Sequence, residues 1–168
     1  IMTARIMERI EPILLSEKPD VILVQGDTNT VFACSLVASK LGIKVGHVEA
    51  GLRSYDRTMP EEINRVLCDH ISDHLFCPTP ASAKTALDEG ISKDKIHVVG
   101  NTIVDAVYAN LAIAKKKENA LLKYGLKTGE YFLVTAHRQE NVDSKERFSG
   151  LLKAFEMIGR KYGLKIFY

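Results

Sequence analysis

Two short apolar runs, VILVQ at residues 21–25 and KVGHV at 44–48, are separated by one helix-length segment, and a carboxylate follows each, Asp27 and Glu49. No other feature constrains the fold as tightly. An unbroken run of branched side chains only five residues long reads as a strand covered on both faces of a parallel sheet. Between the runs, Gly26-Asp27-Thr28-Asn29 supplies capping side chains ahead of a helix with Val31, Phe32, Leu36, Val37 and Leu41 on one face and Gly42 as its stop. Strand, helix and strand in that order form a βαβ unit, whose two strands must be parallel.

The rhythm continues along the chain. A helix opens at Pro60, with Glu61 and Glu62 in its first turn and an apolar stripe of Ile63, Val66, Leu67, His70 and Ile71. Strands are predicted over 74–78, 96–99, 131–136 and 164–168, and helices over 81–89, from 102 to about 124, and over 145–162. The helical pattern of residues 1–17 contains Pro12, which is expected to kink or interrupt it. Alternating strands and helices at this spacing predict an α/β fold with a doubly wound, Rossmann-like parallel sheet. The polar run KKKEN at 115–119 is the expected domain boundary. Residues 1–112 then belong to one domain, 113–130 form a linker and helix end, and 131–168 begin a second. About 40 residues are too few to cover both faces of a sheet, so that second domain is expected to be incomplete. The chain starts at Ile1 inside a helical pattern and stops in the apolar run KIFY, which suggests a piece of something longer.

Charge narrows the function classes. Lys and Arg number 23 against 21 Asp and Glu, and the densest basic run, Lys115-Lys116-Lys117, reads as a solvated helix face. Nucleic acid and membrane surfaces are therefore not expected partners. No apolar stretch approaches the ~18 residues needed to span a bilayer, and the first residues lack the plan of a signal peptide. Cys34, Cys68 and Cys77 are odd in number, far apart and set among apolar neighbours, as buried thiols in a reducing compartment would be. The expectation is a cytoplasmic protein.

Strand ends in a parallel sheet share one edge, so Asp27 and Glu49 should open into one crevice, where open α/β sheets bind ligands. Asp27 could instead cap the helix, although Thr28, Asn29 and Thr30 offer caps of their own. Glu49 would need a specific partner such as Arg53 for a structural role. Two acids in a first helical turn suit the helix dipole in any protein, so the residues alone leave Glu61 and Glu62 open. His47 alternates with Val45 and Glu49 and reads as a hydrogen-bonded core residue. His70 and His74 share a spacing of four without a third metal ligand. In TAHRQEN, residues 135–141, His137 and Arg138 offer a titratable donor and a guanidinium fork suited to a phosphate. Gly100-Asn101-Thr102 reads as a helix cap. Neither G-x-G-x-x-G nor G-x-x-x-x-G-K-[ST] occurs, so no nucleotide cofactor site is indicated.

Five motifs in series, VQGDTNT (24–30), GHVEAGLRS (46–54), MPEEINR (59–65), GNTIVDA (100–106) and TAHRQEN, resemble the non-hydrolysing UDP-N-acetylglucosamine 2-epimerases in order and spacing along essentially the whole chain. The resemblance implies two Rossmann-like domains facing each other in the GT-B arrangement, a cytoplasmic homodimer, and UDP-N-acetylglucosamine as substrate and, in some members, allosteric activator. It also implies inversion at C2 of the sugar, through elimination of UDP to a 2-acetamidoglucal and re-addition, without a cofactor, in the supply of surface polysaccharide. By the same resemblance Asp27, Glu49 and Glu61 match the acid/base carboxylates, and His137 matches a histidine at the UDP end. Arg138 and Glu62 are neighbouring motif residues. The family's early G-T-R-P-E segment and its serine-glycine-glycine UDP loop are not in this chain, so these residues alone are expected to turn over little.

Three other readings are set beside it. A hydrolysing 2-epimerase would release free N-acetylmannosamine, a GT-B glycosyltransferase would need an acceptor, and a non-catalytic nucleotide-sugar sensor would have no use for several acids around C2.

Overall fold

The computed structural model describes residues 1–117 and 120–168, the side chains of Gln139 and Glu140 excepted. Two residues of the KKKEN run, Glu118 and Asn119, lie outside the described residues. The chain divides into two compact units, Ile1–Tyr108 and Ala109–Tyr168.

The first unit is a four-stranded parallel sheet in the order β1 (Val21–Gln25), β2 (Lys44–Val48), β3 (His74–Cys77) and β4 (Ile96–Val98). Strands laid down in chain order are the half of a doubly wound sheet that winds in one direction. Right-handed crossovers then place the connecting helices on a single face. These are α2 (Asn29–Lys40), α3 (Pro60–Ile71) and α4 (Pro80–Asp88), with α1 (Met2–Glu17) packed against α2. Strand parity shows the consequence. Val24 of β1 and Val45 of β2 join Leu14, Val31, Ala38 and Cys68 in one core, while Leu75 and Cys77 of β3 join Ala50, Ala83 and Ala86 in another. The opposite parity is open: Leu23 is 68% exposed, and His74, Phe76 and His97 stack beside one another on that side. The expectation that the first strand is covered on both faces therefore fails within this unit.

Several local expectations are also corrected. Helix α1 runs through Pro12, and its cap Lys18 takes a left-handed conformation (φ 45°). The apolar stripe assigned to α3 is reversed: Ile63, Leu67 and His70 are exposed, whereas Glu62, Asn64, Cys68 and Asp69 are buried. The inner face of α3 reaches the apolar core through Cys68, while Glu62, Asn64 and Asp69 meet the turns that follow β1 and β2. His70 lies on α3 and His74 on β3, so their spacing of four is not helical.

Helix α5 (Thr102–Ala114) is capped by Asn101, whose Oδ1 accepts from the Ile103 N–H at 3.0 Å. It ends at Ala114 rather than near Tyr124, and a separate short helix, α6 (Ala120–Lys123), follows. In the second unit β5 (Tyr131–Leu133) pairs in parallel with β6 (Lys165–Phe167), and α8 (Lys145–Tyr162) connects them after the short α7 (Gln139–Val142). Gly163 ends α8 at φ 65°, a left-handed cap that a side chain would strain. Among the described residues no helix is long and apolar enough to cross a membrane.

Candidate functional site

Asp27 and Glu49 stand where strand polarity places them. Gln25 is in register with Val48, and the Gly26 N–H donates to Val48 O at 3.1 Å, so the two acids leave neighbouring strand tips at one edge. Both are half-buried, open enough to meet a ligand. The Glu49 carboxylate lies over the β1 tip: Oε1 accepts from Gln25 Nε2 at 3.5 Å, and Oε2 is 3.8 Å from the point where a Cβ on Gly26 would stand. Thr28, not Asp27, caps α2, its Oγ1 accepting from the Val31 N–H at 3.4 Å. The Asp27 carboxylate is paired with Arg65 of α3, Nη2 to Oδ2 at 2.5 Å. Asn64 adds a second tie from α3, donating to Asp27 O at 2.9 Å and to Asn29 Oδ1 at 3.2 Å.

Glu49 does not continue the alternation of β2. Its φ is 70°, in the left-handed region that non-glycine residues rarely occupy. The turn swings its side chain toward β1, while His47, still inside the strand, points to the helices. Strained positions of this kind concentrate at functional sites.

The two acids at the start of α3 have opposite surroundings. Glu61 is exposed, and its backbone carbonyl accepts from Arg65 Nε at 3.4 Å. Glu62 is 3% exposed and committed to the loop before the helix. Its carboxylate accepts from the Ser54 N–H and Oγ, both at 2.9 Å, and from the Tyr55 N–H at 3.0 Å, with Arg65 Nε 3.6 Å away. Burial opposes its ionisation, but these donors and the guanidinium outweigh burial and hold the carboxyl below the ordinary range.

Behind the strand tips is a buried network in which His47 is the hydrogen-bonded core residue expected from the sequence, but whose centre, Asp69, sequence reasoning missed. Asp69 of α3, fully buried, meets His47 Nδ1 through Oδ1 at 2.6 Å, and through Oδ2 accepts from the Gly51 N–H at 3.0 Å and Arg53 Nη1 at 2.7 Å. Arg53 therefore serves Asp69, and also Glu89 through Nε at 2.8 Å and Nη2 at 2.6 Å, rather than Glu49. The other ring nitrogen of His47 lies 2.8 Å from Gly26 O. Burial disfavours a charged ring, yet the hydrogen bond with Asp69, reinforced by Cys68, prevails and pushes the imidazole up to about 10. For Asp69 itself the available sequence signal is an Asp next to Cys68 on the side of α3 away from Ile63 and Leu67, and a solvated face explains it equally well.

In the second unit His137 and Arg138 are exposed between β5 and α7. Arg138 O accepts from the N–H groups of Asn141 at 2.9 Å and Val142 at 3.1 Å, and Ala136 O from the Tyr168 hydroxyl at 2.8 Å, which fixes the backbone on either side of His137. Among the described residues no group of three or more His, Cys, Asp or Glu is placed to hold a metal ion. The three cysteines are free thiols, and burial raises Cys34 and Cys77. The first unit thus presents two half-open carboxylates on adjacent tips, an arrangement able to accept and return protons.

The whole chain, residues 1–168, matches the family model described as UDP-N-acetylglucosamine 2-epimerase. It is 56% identical over 168 residues to a UDP-N-acetylglucosamine 2-epimerase of Methanococcus maripaludis, covering 99% of this chain and 46% of the relative. With the Methanocaldococcus jannaschii UDP-N-acetylglucosamine 2-epimerase it shares 58% over 159 residues, 93% of this chain and 43% of the relative. A crystal structure of the M. jannaschii enzyme in complex with UDP-GlcNAc and UDP superposes with a TM-score of 0.90 at 56% identity, covering 98% of this chain and 45% of that one. The chain spans less than half the length of these relatives. A match that runs through every strand and helix described above, at this identity, places the chain in the UDP-N-acetylglucosamine 2-epimerase family.

Proposed function

We propose that the protein carrying these residues is a non-hydrolysing 2-epimerase that interconverts UDP-N-acetylglucosamine and UDP-N-acetylmannosamine. The C2 proton of the sugar is not adjacent to a carbonyl and is poorly acidic. It leaves only as the C1–O bond breaks, when positive charge grows on the ring. One carboxylate takes the proton, the C2–H electron pair forms the C1–C2 double bond, and UDP departs with the C1–O pair. Return of a proton to the opposite face of C2 and attack of UDP at C1 complete the inversion. Asp27, Glu49 and Glu61 are assigned to these proton transfers, and His137 and Arg138 to the departing diphosphate, whose charge they would balance.

The observation that carries this reading is the pair of half-open carboxylates, Asp27 and Glu49, on neighbouring strand tips. Relatives solved with UDP-GlcNAc bound support UDP-N-acetylglucosamine as the substrate. Also part of the proposal are a first Rossmann-like domain ending at 112, a linker over 113–130, a second domain opening at 131, a cytoplasmic homodimer, and a product destined for surface polysaccharide. Residues 1–168 alone are expected to turn over little.

Incubation of the full-length protein with UDP-N-acetylglucosamine in deuterated water tests the chemistry. UDP-linked N-acetylmannosamine labelled at C2 is the expected product. Free N-acetylmannosamine plus UDP would overturn the non-hydrolysing assignment, and UDP release that requires an added acceptor would overturn epimerisation.

A further inference from the structure

Asp69 holds the chain on both sides of Glu49, through the imidazole of His47 before it and the backbone N–H of Gly51 after it. Oδ1 meets His47, two residues before it, and Oδ2 accepts from the Gly51 N–H, two residues after it. The tip of β2 is thereby drawn into the tight turn that gives Glu49 its left-handed φ of 70°. His47 extends the grip to the neighbouring strand. Gly26 O can only accept, so His47 Nε2, 2.8 Å away, carries a proton and donates it to the carbonyl immediately before Asp27. One fully buried carboxylate is thus connected, through no more than one side chain, to the backbone that presents each of the two acids.

We propose that Asp69, acting directly on the β2 tip and through His47 on the β1 tip, is the positioning residue that sets the separation and aim of Glu49 and Asp27. The inference rests on the epimerase reading, since it concerns the acids assigned to proton transfer there. Asp69 lies behind the tips and meets no substrate. It acts by holding two reacting groups to the narrow geometry that proton transfer requires.

The test uses the full-length protein and UDP-N-acetylglucosamine carrying hydrogen or deuterium at C2. In Asp69→Asn, which keeps the volume and one acceptor oxygen, kcat per folded molecule is expected to fall about tenfold or more while KM stays within about threefold. The C2 isotope effect on kcat is expected to rise, because a misaimed base makes proton removal slower relative to product release. Glu89→Gln is the control: it weakens the same network through Arg53 without touching either tip, and should lower thermal stability while leaving kcat and the isotope effect unchanged. Two further variants separate the two links. His47→Gln can still place an N–H near Gly26 O, His47→Asn cannot reach it, and the Gln variant is expected to be the faster.

An Asp69→Asn protein with wild-type kcat and isotope effect, beside an inactive Asp27→Asn, overturns the positioning role alone. Equal loss of kcat in Glu89→Gln does the same. Should Asp69→Asn not fold, equal rates in the two His47 variants overturn the link to Asp27. Failure of the wild-type protein to epimerise, or an Asp27→Asn variant at full rate, overturns the underlying reading and this inference with it.

Discussion

The Arg65 guanidinium and the Asp27 carboxylate meet at 2.5 Å, reaching from the second turn of α3 to the turn that follows β1. Arg65 also lies 3.6 Å from Glu62, so one guanidinium bridges a carboxylate proposed for proton transfer and the acid that organises the loop. Its side chain is 15% exposed, and that of Asp27 35%. Replacement by Lys keeps the charge but loses the fork. In the full-length protein Arg65→Lys is expected to lower kcat about tenfold and Arg65→Met about a hundredfold, the size of effect that follows misplacement of a catalytic group by about 1 Å. Steady-state kinetics with UDP-N-acetylglucosamine checks this, and equal rates in both variants would separate Arg65 from the function of Asp27.

The placement of Asp27 and Glu49 was legible because it follows from strand polarity alone: apolar runs at 21–25 and 44–48 become parallel strands, and whatever follows them shares an edge. The helix α3 was misread for a related reason. Helical periodicity identifies an apolar face, and Ile63 and Leu67 supply one, but the face buried in this unit carries Glu62, Asn64, Cys68 and Asp69. Periodicity carries no record of buried polar groups whose partners are 16 to 22 residues away in the chain, as Arg53 and His47 are from Asp69. Pro12 is a milder case. Its missing N–H removes one helical hydrogen bond, and α1 still packs on α2 through Ile10 and Leu14.

Glu62 should be a determinant of acid stability. Its folded carboxyl titrates below the ordinary value of 4.5, so the native state binds fewer protons than the unfolded chain in that interval. The stabilisation is complete above the unfolded value and disappears as pH falls through the folded one. Glu62→Gln removes the charge that three loop donors approach, and is expected to lower stability near neutral pH by about 2 kcal/mol. Denaturant titrations of the two proteins should converge as pH drops below about 4. A gap that stays constant down to pH 2 would assign the effect to packing instead.

Stability and activity should move in opposite directions at Glu49. A left-handed conformation costs a residue with a Cβ roughly 1–2 kcal/mol, and glycine is free of that penalty. Among the described residues the side chain makes one long hydrogen bond, 3.5 Å from Gln25, which adds little in return. Glu49→Gly is therefore expected to leave stability unchanged or raise it by about 1 kcal/mol, while the full-length variant loses turnover by orders of magnitude. Parallel measurement of the unfolding midpoint and of kcat tests both halves. A variant both less stable and fully active would remove Glu49 from the proposed chemistry.

Gly51 and Gly42 have nearly the same backbone, φ 78° and 75°, and entirely different neighbours. Among the described residues a Cβ on Gly42 would meet nothing within 4 Å, whereas on Gly51 it would stand 2.2 Å from Ser82 O and 2.8 Å from Ser82 C. The Gly51 turn is buried against the start of α4, and its N–H is held by Asp69, so the turn cannot retreat without breaking that hydrogen bond. Gly42→Ala pays only the conformational penalty, about 1 kcal/mol. Gly51→Ala adds a backbone clash and is expected to destabilise by about 4 kcal/mol or more, at the upper end of single substitutions. Equilibrium unfolding of the two variants under one set of conditions makes the comparison. Similar losses in both would mean that the close approach of α4 to the Glu49 turn does not limit what fits at Gly51.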